Sequence, residues 1–363
     1  MEIVNLKLYN FRNYEKENIH FSSGINVFQG ENGQGKTNVL ESIYYLLTGK
    51  SYRVRREQEL ILWGKNEFHL FGDFSAYQRS LSLESHYLDH RKIVKINQVP
   101  CKKLSDFVGT INVVFFSPDD LMMVKGGPVE RRRFIDLHIT QMYPRHVHLL
   151  NAYNKVLQQK AALLKSSIQS SKASNIEIWN EQLLDFGSKI IRNRWHYTQI
   201  LSKKSQEIYS QLSSGKEELA INYIALGHQN IEKALKEFPK MLEEKMQQEM
   251  ERQIILVGPH RDDLNYQING KSARLFASQG QQRSIILSLK LAELEAIFKE
   301  KGEYPLLLLD DVLSELDIFR RDYLLEFIQP INQVLITMTS AEKPSKKIKS
   351  LFQVDKGHVG RIH

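Results

Sequence analysis

One stretch of the sequence combines glycines, a lysine and a threonine at the spacing of a phosphate-binding loop. It fits the pattern G-x-x-x-x-G-K-[ST] at every fixed position and consists of Gly30, Glu31, Asn32, Gly33, Gln34, Gly35, Lys36 and Thr37. The glycines let successive backbone N–H groups point at one anion. We expect Lys36 to reach the β- and γ-phosphates as a catalytic side chain, and the Thr37 hydroxyl to bind Mg²⁺. The stretch therefore predicts a nucleotide site.

The flanking sequence decides between this interpretation and a glycine-rich surface turn. Ile25–Phe28, upstream, is typical of a short buried strand. Downstream of Thr37, apolar residues recur at helical spacing and the pattern ends near Gly49. Strand, loop and helix form the setting that the motif needs, so we favour nucleotide binding.

A second acidic motif fits the same chemistry. Four leucines, Leu306–Leu309, are followed by Asp310 and Asp311. A hydrophobic strand that ends in Asp beside a phosphate loop is the Walker B arrangement, in which Asp310 would hold Mg²⁺. We expect Asp311 to orient the attacking water as a catalytic base. The alternative is an acidic cap on the helix after a core strand.

Two further segments resemble the ABC-type ATPases. Ser278, Gln279, Gly280 and Gln281 resemble the signature segment, and Ser314–Asp317 resembles the D-loop. The resemblance implies that the signature segment of one subunit caps the ATP held by another, in a head-to-tail dimer. The start of a helix predicted over Gln281–Phe298 is a suitable second anion site. A polar loop that only caps this helix is the alternative.

Two features of that superfamily are missing. Phe116–Asp120 stands where a Q-loop glutamine is expected, and Ile336–Ser340 runs through the place of the switch histidine. Either change is expected to slow hydrolysis. Both argue against a transporter ATPase, which would also need a separate membrane subunit.

The composition is that of a cytosolic globular protein. The 363 residues include 42% hydrophobic and 25% charged residues, with one cysteine. The sequence has no apolar run long enough for a membrane span, and its N-terminus does not resemble a signal peptide. The formal charge of +8 suggests a polyanionic partner, although many basic proteins bind none.

The order of the patterns predicts an α/β fold with an inserted helical lobe. We expect a mixed sheet with a phosphate-loop core and an antiparallel β-subdomain, built from residues 1–120 and 251–363, with the lobe at 121–250. Val4, Leu6 and Leu8 alternate as on one strand face, and Ser117 is expected to cap a helix. A loop between two lobe helices is predicted at Ser166–Ser174. The predicted strands are Phe68–Phe74, Ser80–Tyr87, Lys92–Ile96, Ile111–Phe116, Gln253–Val257, Leu264–Ile268, Lys271–Leu275 and Gln333–Met338.

Taken together, the motifs resemble the RecF family of bacterial replication and recombination-repair proteins over essentially the whole chain. The segments that carry this resemblance are Phe11–Tyr14, Gly30–Asn38, Gly49–Arg53, Phe116–Leu121, Glu130–Phe134, Gly258–Leu264, Ser278–Arg283 and Leu309–Asp317. The resemblance implies an ABC/SMC-like ATPase that uses ATP and Mg²⁺ and forms an ATP-dependent homodimer. It also implies binding to duplex DNA or single-strand/duplex junctions, weak DNA-stimulated hydrolysis, and RecA loading with RecO and RecR.

Basic clusters are the candidate DNA contacts, and a solvated basic face is the alternative for each. Arg and Lys contacts to phosphate would be salt-dependent and largely independent of sequence. Arg131–Arg133 is ambiguous, because successive helical residues point in different directions, and we expect some of these arginines to pair with acids. The favoured cluster is Lys50, Arg53, Arg55 and Arg56; the others are Lys102, Lys103 and Lys343–Lys349.

A second hypothesis belongs to a different functional class. The chain would be a nucleotide-regulated interaction scaffold whose hydrolysis is incidental. Asp311, in place of the usual catalytic glutamate, and the absent switch histidine motivate it.

Overall fold

The computed structural model describes residues 1–54, 56–166, 172–339 and 348–362. The chain divides into two compact units, Met1–Asp120 with Lys290–His363, and Leu121–Leu289. The first boundary coincides with the predicted start of the helical lobe. The second unit runs beyond residue 250, where the lobe was predicted to end. The assignment of an ATPase head and a lobe to these ranges stays a prediction.

Strands and helices alternate unevenly along the chain. The strands are β1 (Glu2–Phe11), β2 (Tyr14–His20), β3 (Gly24–Gln29), β4 (Glu67–Ala76), β5 (Arg79–Leu88), β6 (Arg91–Ile96), β7 (Val99–Pro100), β8 (Val113–Phe116), β9 (Leu219–Ile224), β10 (Asp263–Ile268), β11 (Lys271–Ser272), β12 (Leu306–Asp310), β13 (Gln333–Met338), β14 (Ile348–Asp355) and β15 (His358–Arg361). The α-helices are α1 (Lys36–Thr48), α2 (Met122–Lys125), α3 (Pro128–Met142), α4 (Arg145–Lys165), α5 (Lys172–Leu212), α6 (Ile231–Arg252), α7 (Ala273–Phe276), α8 (Gln279–Lys301), α9 (Val312–Glu315) and α10 (Ile318–Phe327).

The first unit contains two sheets. One is antiparallel, in the order β2-β1-β4-β5-β6-β7. The other has the order β15-β14-β3-β13-β12-β8 and is parallel except for β15. Strands β8, β12 and β13 are mostly apolar and buried at every position, as expected for strands covered on both faces, whereas β14, towards the edge, has exposed residues.

Helix α1 contacts strands of both sheets. Its apolar residues are buried on every side, including Val39, Leu40, Ile43, Tyr45 and Leu46. A helix that is buried on nearly every side belongs in a core rather than on a surface. It ends at Gly49, whose backbone adopts the left-handed conformation of a helix C-cap. The predicted helix and its end near Gly49 are confirmed.

The prediction that Val4 shares a face with Leu6 and Leu8 is wrong. Leu6 and Leu8 are buried, whereas Val4 is 48% exposed and Ile3 is buried. The register with β4 shifts between Ile3 and Asn5. A bulge of this kind adds one residue to a strand and interrupts the alternation of its faces.

The second unit combines α2–α7 and part of α8 with an antiparallel sheet in the order β11-β10-β9. The predicted strand over Gln253–Val257 is wrong, because Leu256 N donates instead to Glu249 Oε1 at 2.7 Å. The strand predicted over Lys271–Leu275 stops at Ser272, and Leu275 lies in α7. Strand β9, which pairs with β10, was not predicted.

The predicted helix start at Ser117 also differs from the structure. Pro118–Leu121 forms a 3₁₀ turn before α2. Asp120 rather than Ser117 supplies the capping side chain, since its Oδ2 accepts from Ser117 N at 2.7 Å. Asp120 Oδ1 lies 3.1 Å from Lys290 Nζ, which also donates to Phe115 O. Part of the predicted loop Ser166–Ser174, residues 167–171, lies outside the described residues.

Candidate functional site

The predicted phosphate loop joins β3 to α1 and is shaped by glycine. Gly35 has φ +119°, a conformation that other residues rarely adopt. A Cβ at this position would lie 2.7 Å from Asn13 Nδ2 and 2.8 Å from Tyr14 Oη. Glycine therefore allows the loop to lie directly against the turn between β1 and β2.

The side chains of Asn13 and Tyr14, and two backbone amides of the turn after β14, brace the loop. Tyr14 Oη donates to Gly35 O at 3.1 Å, and Asn13 Nδ2 donates to Gln34 O at 2.9 Å. Gly357 N donates to the same carbonyl at 3.1 Å, and Lys356 N donates to Gln34 Oε1 at 2.7 Å. These contacts fix the loop backbone and give a structural reason for Asn13 and Tyr14.

Lys36 and Thr37 follow the loop at the start of α1. The Lys36 ammonium is 8% exposed and donates to Gly30 O at 2.7 Å and Glu31 O at 2.8 Å. Thr37 Oγ1 donates to Asp310 Oδ1 at 2.9 Å. The structure thus brings together the threonine and the aspartate that the two sequence motifs singled out.

Asp310 is a buried carboxylate between two hydroxyls. Thr337 Oγ1 donates to Asp310 Oδ1 at 2.8 Å, alongside the bond from Thr37. Burial raises the pKa of Asp310 above its ordinary value, and the two hydroxyl donors oppose that rise. Thr337 lies in the segment where a switch histidine was expected, so sequence reasoning missed a residue that contacts the site.

Asp311 begins the short helix α9 with a positive φ of +53°. Its backbone N–H donates to Thr337 Oγ1 at 2.8 Å. Ser314 Oγ donates to its carbonyl at 2.8 Å and to its carboxylate at 3.1 Å. Asp311 is held in place by backbone and side-chain contacts. Its side chain accepts no capping bond from the backbone of α9, so the helix-capping interpretation gains no support from this geometry.

Glu41, a buried residue of α1, contacts two arginines and a serine that sequence reasoning did not place together. It accepts from Arg12 Nε at 2.9 Å, Arg12 Nη2 at 2.8 Å and Ser51 Oγ at 2.6 Å. Arg53 Nη1 lies 3.4 Å from Glu41 and donates to Asn38 at 3.0 Å. The sequence did contain one signal for this cluster. An acid stands among the apolar residues of a core helix, and a buried charge needs partners.

The predicted DNA contacts therefore differ in their surroundings. Arg53 is tied to α1 through Glu41 and Asn38, although 40% of its side chain is exposed. Lys50 and Arg56 are exposed. Arg55 and Lys343–Lys347 lie outside the described residues.

The predicted signature segment lies in the second unit and forms the start of α8. This helix begins at Gln279 rather than Gln281. Ser278 N donates to Gln281 Oε1 at 2.7 Å, and Gln281 N donates to Ser278 Oγ at 3.2 Å. This reciprocal pair is a capping box, which the spacing S-x-x-Q could have indicated. Gln281 Nε2 also donates to Glu217 Oε1 at 2.7 Å.

Comparisons with known proteins show the family of this chain. A family model described as the RecF/RecN/SMC N terminal domain matches residues 2–362. The DNA replication and repair protein RecF of Desulfitobacterium hafniense is 65% identical, with 100% of both chains covered. The chain belongs to the RecF family.

Solved structures support the same placement within the RecF family. A structure of the recombination mediator protein RecF with ATP, in the RecFOR pathway, has a TM-score of 0.92 at 32% identity, covering 99% of this chain and 97% of that one. The Smc head domain from Pyrococcus furiosus has a TM-score of 0.56 at 18% identity, covering 99% and 95%, which shows a likeness of fold alone. The predicted fold class, an ABC-type ATPase head with a mixed sheet, an antiparallel subdomain and a helical insertion, is confirmed.

The segment Gly258–Leu264 of this RecF-family chain forms a polar cluster with buried side chains in the second unit. Asp262 accepts from Tyr223 Oη and from Leu226 N. Asp263 binds Arg131 through both carboxylate oxygens, at 2.6 and 3.0 Å. The expectation that part of Arg131–Arg133 pairs with acids is confirmed.

The same cluster reaches helices α3, α4 and α5. Arg194, on α5, donates to Pro259 O at 2.7 Å and binds Asp136, on α3, through two bonds of 2.7 and 2.8 Å. Tyr153 Oη, on α4, lies 2.7 Å from His260 Nδ1. The segment thus joins the three helices, which gives it a structural role.

Within the ranges that the structure covers, no helix of this RecF-family chain is both long and apolar enough to cross a bilayer.

Proposed function

We propose that this chain is an ATP-gated DNA-binding protein of recombinational gap repair. Membership of the RecF family supports this proposal, because a similar protein is named for DNA replication and repair and a similar structure contains ATP. The observation that carries it is the 2.9 Å contact between Thr37 and Asp310. The two residues come from motifs far apart in sequence, and their meeting creates the donor set of a nucleotide-associated cation.

The residues present fit Mg²⁺ and ATP. A hydroxyl and a carboxylate oxygen are ligands that Mg²⁺ prefers, and the buried charge of Asp310 favours a cation beside it. Bound Mg²⁺ would neutralise charge on the phosphates. Lys36, which now donates to Gly30 and Glu31, would exchange those carbonyls for phosphate oxygens. The N–H groups of residues 30–37 would hold the remaining phosphate oxygens.

Asp311 is the residue we assign to positioning the attacking water. Its contacts with Thr337 and Ser314 fix the backbone and one carboxylate oxygen. A carboxylate held in this way can accept a proton from water if it stays ionised. We propose weak, DNA-stimulated hydrolysis of ATP to ADP and phosphate.

We propose that a second copy of the chain completes the site with Ser278–Gln281. The Ser278 oxygen accepts the capping bond, so its hydroxyl proton can still be donated to a phosphate oxygen. The N–H groups in the first turn of α8 would add further donors at the positive end of the helix dipole. ATP would therefore promote a homodimer.

Dimerisation would in turn gate binding to duplex DNA and to single-strand/duplex junctions. Lys50, Arg53 and Arg56 are the proposed phosphate contacts. The position of Arg53 would also depend on α1, because Glu41 and Asn38 hold its side chain against that helix. We propose a cytoplasmic protein that cooperates with RecR and RecO in loading RecA.

The test measures ATP hydrolysis and oligomeric state together, with and without a gapped duplex, at low and high salt. We expect ATP-dependent dimers, which Ser278→Arg prevents and the exposed control Ser214→Arg retains. Asp311→Asn should keep the dimer and lower turnover by about 10²-fold or more. If both the wild-type chain and Asp311→Asn stayed monomeric with ATP, that result would contradict the proposal.

A second candidate is a nucleotide-regulated scaffold with incidental hydrolysis. The observation that favours it is Thr337 in the segment where a switch histidine was expected, because a threonine does not titrate near neutral pH. ATP-dependent partner binding with negligible turnover at saturating DNA would support this function over the first.

A further inference from the structure

The side chain of Glu217 joins the predicted signature segment to helix α5, within the second unit. Its Oε1 accepts from Gln281 Nε2 at 2.7 Å, and its Oε2 accepts from Tyr209 Oη at 2.7 Å. Tyr209 is 1% exposed, so the core of the unit fixes its hydroxyl. One carboxylate oxygen of Glu217 is therefore bound to a buried anchor, and the other to a residue of the signature segment.

The backbone that carries Glu217 is also anchored. The turn that joins α5 to β9 is closed by Gly215 N, which donates to Ser210 O at 2.8 Å. On the other side of Glu217, Glu218 N donates to Asn269 Oδ1 at 2.8 Å, in the turn between β10 and β11. A carboxylate on a backbone held at both sides has a defined position, which a residue that orients another side chain requires.

Gln281 transmits this position to Ser278. Its Oε1 accepts from Ser278 N at 2.7 Å, and its own backbone N–H donates to Ser278 Oγ at 3.2 Å. A glutamine side chain has a donor end and an acceptor end, whereas an ionised carboxylate only accepts. Glu217 therefore binds the NH₂ end of Gln281 and leaves the oxygen end directed at Ser278 N.

The orientation of Ser278 matters because its hydroxyl is a proposed phosphate ligand. Ser278 is exposed, so hydrogen bonds rather than packing define its position. A donor that is already held in place binds an anion more tightly than one that must first be ordered. A helix cap alone would need the bonds between Ser278 and Gln281, but not a carboxylate that fixes the glutamine from outside.

We propose that Glu217 is a positioning residue for the phosphate site that one copy of the chain offers to the ATP of another. Through Gln281, it holds the Ser278 hydroxyl ready for a phosphate oxygen, and Tyr209 is its buried anchor. The inference rests on the proposed ATP-dependent homodimer. It adds a residue outside the signature segment that sets how tightly the dimer forms.

The first test measures ATP-dependent dimerisation of the full chain by sedimentation velocity, together with binding of a fluorescent ATP analogue. We expect Glu217→Ala to weaken the dimer about tenfold or more, because both hydrogen bonds of a charged group are lost. Binding of the analogue to the monomer should stay unchanged, since the phosphate loop lies in the first unit. Glu217→Gln should restore the dimer, because its amide can accept from Gln281 and donate to Tyr209.

Glu207→Ala is the matched control. Glu207 is an exposed glutamate that lines the same groove of about 490 Å³ as Glu217. Its carboxylate pairs with Lys204 at 3.4 Å, on the same helix, rather than with the signature segment. The control should leave the dimer unchanged, and thermal unfolding of each variant shows whether the second unit is folded.

A double-mutant cycle tests whether Glu217 acts through Gln281. We expect Glu217→Ala combined with Gln281→Ala to weaken the dimer no further than Gln281→Ala alone, because the carboxylate then has no side chain to orient. Losses that add would mean that Glu217 acts on the dimer independently of Gln281, and they would overturn the inference.

Amide exchange in the monomer separates the inference from the proposed function. Without ATP, Glu217→Ala should speed exchange several-fold in the peptide spanning residues 273–283, which contains the Ser278 N–H, and Glu207→Ala should not. A wild-type chain that stays monomeric with ATP contradicts the proposed dimer, while faster exchange in Glu217→Ala still supports the positioning of Ser278. Unchanged exchange in Glu217→Ala overturns the inference, as does an unchanged dimer in that variant.

Discussion

At the scale of single residues, Asp310 shows how a site for a cation differs from one built for stability. Its carboxylate is 6% exposed, and the partners that contact it in the structure include the neutral hydroxyls of Thr37 and Thr337. Burying a charge beside neutral donors is unfavourable, as the raised pKa of Asp310 indicates. The same arrangement favours a bound cation, which would restore the balance of charge.

We expect Asp310→Asn to stabilise the chain while abolishing ATP turnover. Without ATP and Mg²⁺, the free energy of unfolding should rise by about 1 kcal/mol, because a neutral amide still accepts both hydroxyl bonds. Denaturant unfolding measures this change. The control Asp311→Asn, at a less buried position, should change stability by no more than about 0.5 kcal/mol. Destabilisation by Asp310→Asn would show that the carboxylate is already well paired.

Gly258 offers a second test at one residue. It has φ +138°, and a Cβ there would lie 2.3 Å from Tyr153 Oη. We expect Gly258→Ala to lower the free energy of unfolding by about 3 kcal/mol or more, from strain and overlap together. Gly215→Ala is the control, since Gly215 has φ +72° with open space around it, and should cost about 1 kcal/mol. Equal losses would mean that the segment relaxes around the new methyl group.

Sequence reasoning about single residues succeeded where a motif fixes both partners. The contact between Thr37 and Asp310 follows from two sequence motifs, the phosphate loop and the Walker B strand, that are expected to bind the same ligand. The cluster around Glu41 could not be found in this way, because Arg12 comes from one segment and Ser51 and Arg53 from another. No local pattern states which cation an isolated buried acid will meet.

At the scale of elements, the Gly258–Leu264 segment makes part of the second unit sensitive to acid. Burial lowers the pKa of His260 to about 4, from an ordinary 6.5. Between these values the unfolded chain binds a proton that the folded chain does not. The contribution of His260 to the free energy of unfolding is therefore fully present above about pH 6.5, and it is lost as the pH decreases toward 4.

We expect this loss to reach about 3 kcal/mol at pH values below the folded pKa. Urea unfolding across this range measures it. His260→Asn should flatten that part of the profile, because asparagine can keep a hydrogen bond with Tyr153 and does not titrate. An unchanged profile in the variant would assign the acid sensitivity to other groups.

Elements with a strong local pattern were predicted well, and those that depend on distant partners were not. β3, α1, β12 and β13 are continuous apolar or periodic segments next to clear end signals. β9 is a short alternating run inside a helical stretch, and it is stabilised by β10, which follows only after α6. The mostly apolar segment 253–257 resembles a strand. In the structure, however, the Glu249 side chain accepts the hydrogen bond from Leu256 N.

At the scale of the whole molecule, one unit is continuous in sequence and the other is not. Leu121–Leu289 contains its own core, including Tyr153, Val156 and Ile190. We expect residues 121–289, expressed alone, to unfold cooperatively with heat, followed by circular dichroism. Residues 121–250, the lobe as predicted from sequence, lack Asp262 and Asp263 and therefore the partners of Tyr223 and Arg131. Equal cooperativity in both fragments would contradict the boundary at Leu289.

The strand that precedes the phosphate loop has consequences for synthesis on the ribosome. β3 is made before its neighbours in the sheet, β13 and β14, which follow it only after the whole second unit. The turn at Lys356 and Gly357 that braces Gln34 comes later still. Pairings this distant in sequence form slowly and leave the early strand exposed in the meantime. A nascent chain is therefore expected to complete its second unit first and to acquire a nucleotide-competent loop only after β14 and the turn that follows it have been made.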